Sequence, residues 1–285
     1  MAIVRRSVRM LAAFVAGLGG CGAPRETGEA VVRLVPAPAL TCRPEPKYRW
    51  LDCLGQPYSE AFRKSFAYKD AEVDVRFERR APAFRGTISA QKLKPNFAYQ
   101  IKLVGLPPSL WGRKGHAAAN RAIGDVGRWW RPGKEGGNAY FFGEETDKEG
   151  MEGYLVFGYF VTDAEGKAEV PFCLDSSYHV LWKVSQWAPN KEDSVPTRHK
   201  VVAEAGCLGY DRSSPPGEFA LYAEAQMGRP PIGQVRMPPG DYRCFLLLTE
   251  ESFHDYINAD GGDWAAALAA LIEFAIVPPP VPAGQ

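Results

Sequence analysis

The strongest constraint on the fold is a two-residue rhythm that recurs along most of the chain. In LKPNFAYQIKLVG, residues 93–105, Tyr99, Ile101 and Leu103 alternate with Gln100 and Lys102 after a turn at Lys94-Pro95-Asn96. Successive side chains of a strand point to opposite faces, so this period predicts a half-buried β-strand. VDVRFER (73–79), FRGTISAQ (84–91), YLVFGYFV (154–161), SYHVLWKVSQW (177–187), GEFALYAEAQ (217–226), QVRM (234–237) and DYRCFLLLTE (241–250) read as further strands. Turn residues separate them. Asp163 to Gly166 predicts a tight hairpin leading into a strand through Phe172, and Pro238-Pro239-Gly240 delivers the last strand. Only WAAALAALIEF (264–274) reads as helix. Asp263 can cap it, and Trp264, Leu268, Leu271 and Ile272 fall at helical spacing. Many strands with hardly any helix predict a mainly β chain: an antiparallel β-sandwich with one short C-terminal helix.

One segment breaks the rhythm. Residues 106–153 form a long aromatic-rich insertion without a clear strand, holding Trp111, Trp129, Trp130, Tyr140, Phe141 and Phe142. Connections of that length are usually functional or disordered, and disordered segments are poor in aromatics. One reading makes Trp111, Trp129, Trp130 and Tyr140 a ligand-binding platform for a sugar or peptide, with Arg128 and Arg131 nearby. The blander reading has Trp129 and Phe141 plug an open end of the sandwich while Arg128 and Arg131 stay wet. It is favoured because most large aromatics are buried.

The N-terminus carries an address. MAIVRRSVRM supplies Arg5, Arg6 and Arg9, and LAAFVAGLGG follows as an apolar run too short to span a bilayer. It ends in Leu18-Gly19-Gly20-Cys21. This resembles the lipobox of bacterial lipoproteins, in which the leader is cut before the Cys and that residue is acylated. The resemblance implies lipidation at Cys21, a membrane partner through the N-terminal lipid, and a cell-envelope location. Gly22 after the Cys implies the outer membrane if the host is Gram-negative. The expected organisation is a signal peptide at 1–20, a Pro-rich tether at 21–47 with a short strand at Val31–Val35, a sandwich domain at 48–277 and a disordered tail at 278–285.

Charge excludes one class of partner. The chain has 34 Lys and Arg against 33 Asp and Glu, and loss of Arg5, Arg6 and Arg9 with the leader moves the balance from +1 to −2. Nucleic acid is therefore not expected, since it calls for a basic stripe. Of the cysteines beyond Cys21, Cys42 and Cys53 lie close together in TCRPEPKYRWLDC and suit a local disulfide, whereas Cys173 and Cys244 sit in apolar runs and suit buried thiols.

Catalytic signatures are missing. The sequence has no G-x-S-x-G, HExxH or Walker A motif, and His116, His179, His199 and His254 lack metal-type spacing. Glu144, Glu145, Asp147, Glu149 and Glu152 form an acidic run, but without the spacing of a calcium loop. No metal or cofactor is expected.

Three stretches carry a fold-level resemblance. LKPNFAYQIKLVG looks like the strand entry of fibronectin-III-like and immunoglobulin-like domains. VTDAEGKAEVPF is similar to a hairpin of bacterial immunoglobulin-like domains, and MPPGDYRCFLL resembles their closing strand. The insertion departs from a plain module of that kind. The expected function is a membrane-anchored envelope lipoprotein presenting this domain to a glycan or protein partner, or serving structurally, without catalysis. The alternative is an exported polysaccharide hydrolase, with two carboxyls about 5–10 Å apart drawn from the insertion.

Overall fold

A computed structural model describes residues 28–37, 48–106, 116–130, 151–184, 197–203, 208–212, 214–251, 253–255 and 264–279. In chain order the elements are β1 (Glu29–Arg33), β2 (Val35–Pro36), α1 (Glu60–Ser65), a 3-10 turn at Tyr68–Asp70, β3 (Glu72–Glu78), β4 (Arg80–Ala81), β5 (Arg85–Gln91), β6 (Ala98–Gly105), α2 (His116–Val126), β7 (Arg128–Trp130), β8 (Glu152–Val161), β9 (Ala168–Cys173), β10 (Tyr178–Val184), β11 (Thr197–Ala203), β12 (Ser214–Ala225), β13 (Gly240–Glu251), β14 (His254–Asp255) and β15 (Trp264–Ile276). They form a β-sandwich. The smaller sheet has four strands in the order β1-β3-β5-β9. The larger has eleven, running β11-β12-β10-β8-β6-β13-β15-β2, with β14, β4 and β7 paired onto β10, β15 and β8. Pairing is antiparallel except for the short β10–β14 and β15–β4 contacts. An immunoglobulin module has about seven to nine strands, so this sandwich is larger.

Alternation places the core. Val73, Val75 and Phe77 of β3 and Ile88 and Ala90 of β5 face Tyr99, Ile101 and Leu103 of β6 and Cys244, Leu246 and Leu248 of β13 in one buried cluster. Each fully buried large side chain contributes about 1.5–3 kcal/mol. Val104, Phe245, Leu247 and Ala269 point the other way and form a second cluster on the outer face of the large sheet. The predicted Asp163–Gly166 turn is present, but it carries the chain from β8 in one sheet to β9 in the other. Asp163 Oδ1 accepts from the backbone N–H groups of Glu165 and Lys167. Gly166 has φ +70°, and a Cβ there would lie 2.1 Å from the carbonyl oxygen of Leu93, so this turn needs glycine.

Four expectations need correction. The predicted C-terminal helix is β15, paired with β13 from Trp264 to Ile276. Leu268, Ala270, Ile272 and Phe274 face the core, while Ala269 faces outward. In a run that is almost wholly apolar, helical and strand periods both fit, and pairing with a neighbour overrides the helix propensity of Ala and Leu. QVRM is not a strand; Val235 donates its N–H to Asp175 O instead. Cys173 is exposed rather than buried, whereas Cys244 is buried as expected. Finally, the tether stretch, where a short strand was expected at Val31–Val35, supplies β1 and β2, each edging a sheet, so the sandwich begins before residue 48.

The insertion contains more order than its sequence suggested. Helix α2 buries Ala119 and Ile123 in the main core. Asn120 clamps the start of β8, its Oδ1 accepting from Gly153 N at 2.8 Å and its Nδ2 donating to Met151 O at 3.1 Å. Trp129, on β7, is 4% exposed. Its ring lies on Gly124 so closely that a Cβ there would sit 2.4 Å from Cε2.

The register defines two ends. At one, Gly28 O accepts from Arg79 N, Arg79 O accepts from Ala275 N, Gly240 pairs with Ile276, and Arg85 pairs with Cys173. At the other, Glu72 pairs with Gln91, Ala98 with Val161, and Tyr99 with Glu250. Strand β13 runs from the first end, where β1 enters, to the second.

Candidate functional site

The far end carries the most developed polar chemistry of the described residues. Residues 48–58 fold over it as an arm. Asp52 Oδ1 accepts from the N–H groups of Leu54 and Gln56, both at 2.8 Å, which closes a turn. Its Oδ2 accepts from the Tyr210 hydroxyl at 2.8 Å, and Asn96 donates to the same hydroxyl oxygen at 3.0 Å. Burial raises the Asp52 pKa, with these hydrogen bonds opposing it. Tyr58 also donates to Pro95 O at 2.6 Å, tying the arm to the turn before β6.

Glu250 and Glu251 end β13, and strand alternation sends them to opposite faces. Glu250 points between the sheets and is 1% exposed. Its Oε1 lies 2.8 Å from Lys94 Nζ and accepts from the Tyr68 hydroxyl at 2.7 Å, while its Oε2 is 3.3 Å from Arg49 Nε. Lys94 Nζ also donates to Arg49 O at 2.6 Å and sits 4.4 Å from the Phe97 ring centre and 4.7 Å from that of Trp50. Burial pushes the lysine down to about 8, against the pull of Glu250. Burial likewise raises Tyr68 and Tyr99, with the Glu250 charge adding to it. A buried charge is tolerated when paired and hydrogen-bonded; Glu250 Oε1 meets both conditions, whereas Oε2 and Arg49 Nε are paired by charge alone, without a hydrogen bond.

Glu251 faces an open cleft of about 230 Å³ beside the arm. Tyr48, Asp52, Cys53, Phe97, Lys183 and Phe253 complete most of its lining. The cleft offers two carboxyls, one ammonium and three aromatic rings. Asp52 is committed to its turn and to Tyr210. Cys53, expected in a local disulfide with Cys42, is instead a buried free cysteine; burial drives its pKa far up, so it is a packed thiol rather than a thiolate nucleophile. The cleft thus presents both signs of charge beside apolar rings.

Of the residues singled out in the sequence, Trp129 is buried, whereas Arg128, expected to stay wet beside it, is buried too and donates to Gln226 Oε1. Trp130 is placed only as the strand partner of Glu152. Cys21, Cys42, Trp111 and Tyr140 lie outside the described residues. Within the acidic run only Glu152 is described. It is buried, and burial alone raises its pKa to about 7. No group of three or more His, Cys, Asp and Glu able to hold a metal occurs among the described residues. Arg49, Lys94, Asp52, Tyr210 and Glu250 escaped the sequence reading. Its one available signal was a pair of acids closing the apolar run CFLLLTEE.

Compared with known proteins, the chain matches no family model, and neither curated proteins nor solved structures gave a match. The class defined here is therefore an enlarged β-sandwich with a buried charged network and a polar cleft at one end.

Proposed function

We propose that this chain is an exported, lipid-anchored envelope lipoprotein whose enlarged immunoglobulin-like sandwich serves as a binding or structural module rather than a catalyst. The observation that carries the reading is Leu18-Gly19-Gly20-Cys21 at the end of a basic and then apolar leader. Acyl chains on Cys21 would hold the domain at a membrane, since each buried CH₂ contributes about 0.8 kcal/mol and more than one chain anchors stably. In a Gram-negative host the location would be the outer membrane. The partner is a glycan or protein. Burial of Trp129 withdraws that ring from the aromatic platform and leaves the far-end cleft as the better-supported contact.

Fractionation tests the anchor. Wild-type protein should sediment with membranes and take up a fatty-acid label, and Cys21→Ala should do neither. Membrane retention of the variant with no label on either form would contradict the reading. The hydrolase alternative has one observation behind it: a carboxylic acid at Glu152, within the insertion, that keeps its proton near neutrality as a general acid must. It requires release of reducing ends from envelope polysaccharide, abolished by Glu152→Gln.

A further inference from the structure

The reach of the chain limits how such an anchored domain can stand. The backbone from Cys21 to Glu29, where β1 begins, extends at most about 28 Å at ~3.5 Å per residue. Strand β13 has 12 residues and covers about 37 Å at ~3.4 Å per residue, from the end where β1 enters to the end that bears the cleft. The slack is shorter than the sandwich is long. The cleft end therefore cannot be set upright against the same membrane.

The entry end also has the groups to meet a lipid surface. Arg76 lies 3.7 Å from Glu29, and Arg85 makes a paired contact with Glu78. Among the described residues Arg79, Arg80 and Arg236 have no carboxylate partner. Arg236 is placed at this end by its electrostatic influence on Cys173, together with Arg85. Asp175 and Asp241 share the end, so it is not a broad positive patch. Among the described residues three guanidiniums there lack a carboxylate, as the Asp175 carboxylate lacks a cation; Arg236 keeps one nitrogen on the carbonyls of Gly233 and Val235, and the guanidinium fork matches phosphate geometry.

We infer that the sandwich stands on the membrane through the end where β1 enters, with Arg79, Arg80 and Arg236 against lipid phosphates and the cleft held away from the bilayer. This rests on the lipid-anchored reading of Cys21. It implies that the cleft takes its ligand from the aqueous side rather than from the lipid.

The test uses full-length protein purified from membranes and returned to vesicles of phosphatidylethanolamine and phosphatidylglycerol. One fluorophore is placed on native Cys173, which is exposed at the entry end, in a Cys42→Ser/Cys207→Ser background. A second is placed at the far end by Glu165→Cys with Cys173→Ser added. A headgroup-bound spin label should quench the Cys173 probe several-fold more than the probe at 165. Arg79→Ser/Arg80→Ser/Arg236→Ser should lower quenching at Cys173 and weaken its salt dependence. Equal or stronger quenching at 165 on vesicle-bound protein overturns the inference and leaves the anchor intact. Quenching at Cys173 unchanged by the arginine substitutions overturns the phosphate contacts. Protein that fails to float with vesicles overturns the anchored reading and this inference together.

Discussion

Removing either partner of the buried Lys94–Glu250 pair should destabilise the fold far more than removing both. Lys94→Met leaves Glu250, at 1% exposure, with the Tyr68 hydroxyl and the more distant Arg49. Glu250→Gln leaves an ammonium held by one carbonyl, at 2.6 Å, and by the faces of Phe97 and Trp50. Stranding one member of a buried pair costs about 3–5 kcal/mol, mostly the desolvation of the charge left behind. The double variant Lys94→Met/Glu250→Gln strands neither of that pair and leaves only the part-exposed Arg49 without its carboxylate. Its cost should fall below the sum of the single costs by about 2 kcal/mol or more, within the range measured for residues in direct contact. Equilibrium urea unfolding followed by tryptophan fluorescence gives all three values, with an unchanged slope showing that the unfolded state is the same. Single costs under about 1 kcal/mol, or simple additivity, would show that water reaches the pair and would refute the reasoning.

Two further perturbations probe the insertion. Trp129→Ala should cost about 3–5 kcal/mol by urea unfolding, and Gly124→Ala about 1–3, because the added methyl meets the indole ring; costs near zero would place that ring elsewhere. For Glu152 the folded protein binds its proton more tightly than the unfolded chain does, with a pKa of about 7 against an ordinary 4.5. Its contribution is therefore full below pH 4.5, is lost as pH rises towards about 7, and is level above that, a loss of about 3 kcal/mol. Unfolding free energies across that window should decline in wild type and less in Glu152→Gln, and identical slopes would contradict the burial argument.

Most strands were legible because their inner and outer faces differ in polarity. In β3, Val73, Val75 and Phe77 are buried, while Asp74 and Arg76 lie on the other face. The signal failed where both faces are apolar, as in β15, and where backbone geometry mattered more than pattern, as at Val235. It also failed for α2, whose buried face combines Ala119 and Ile123 with His116, Asn120 and Gly124. The site was less legible still. Lys94 and Glu250 are far apart in sequence and meet only because β6 pairs with β13, a long-range register that no local window contains. The burial of Trp129 was readable from its size, but its seat on Gly124 was not.

The central claim is that the chain is held at a membrane by lipid on Cys21. Intact-mass and N-terminal peptide mass spectrometry of the protein extracted from membranes tests it most directly. The account predicts a mature chain beginning at Cys21 and carrying the added mass of a diacylglyceryl group, with or without a further acyl chain on its amino group. A mature N-terminus at any other residue, or an unmodified Cys21, would contradict it.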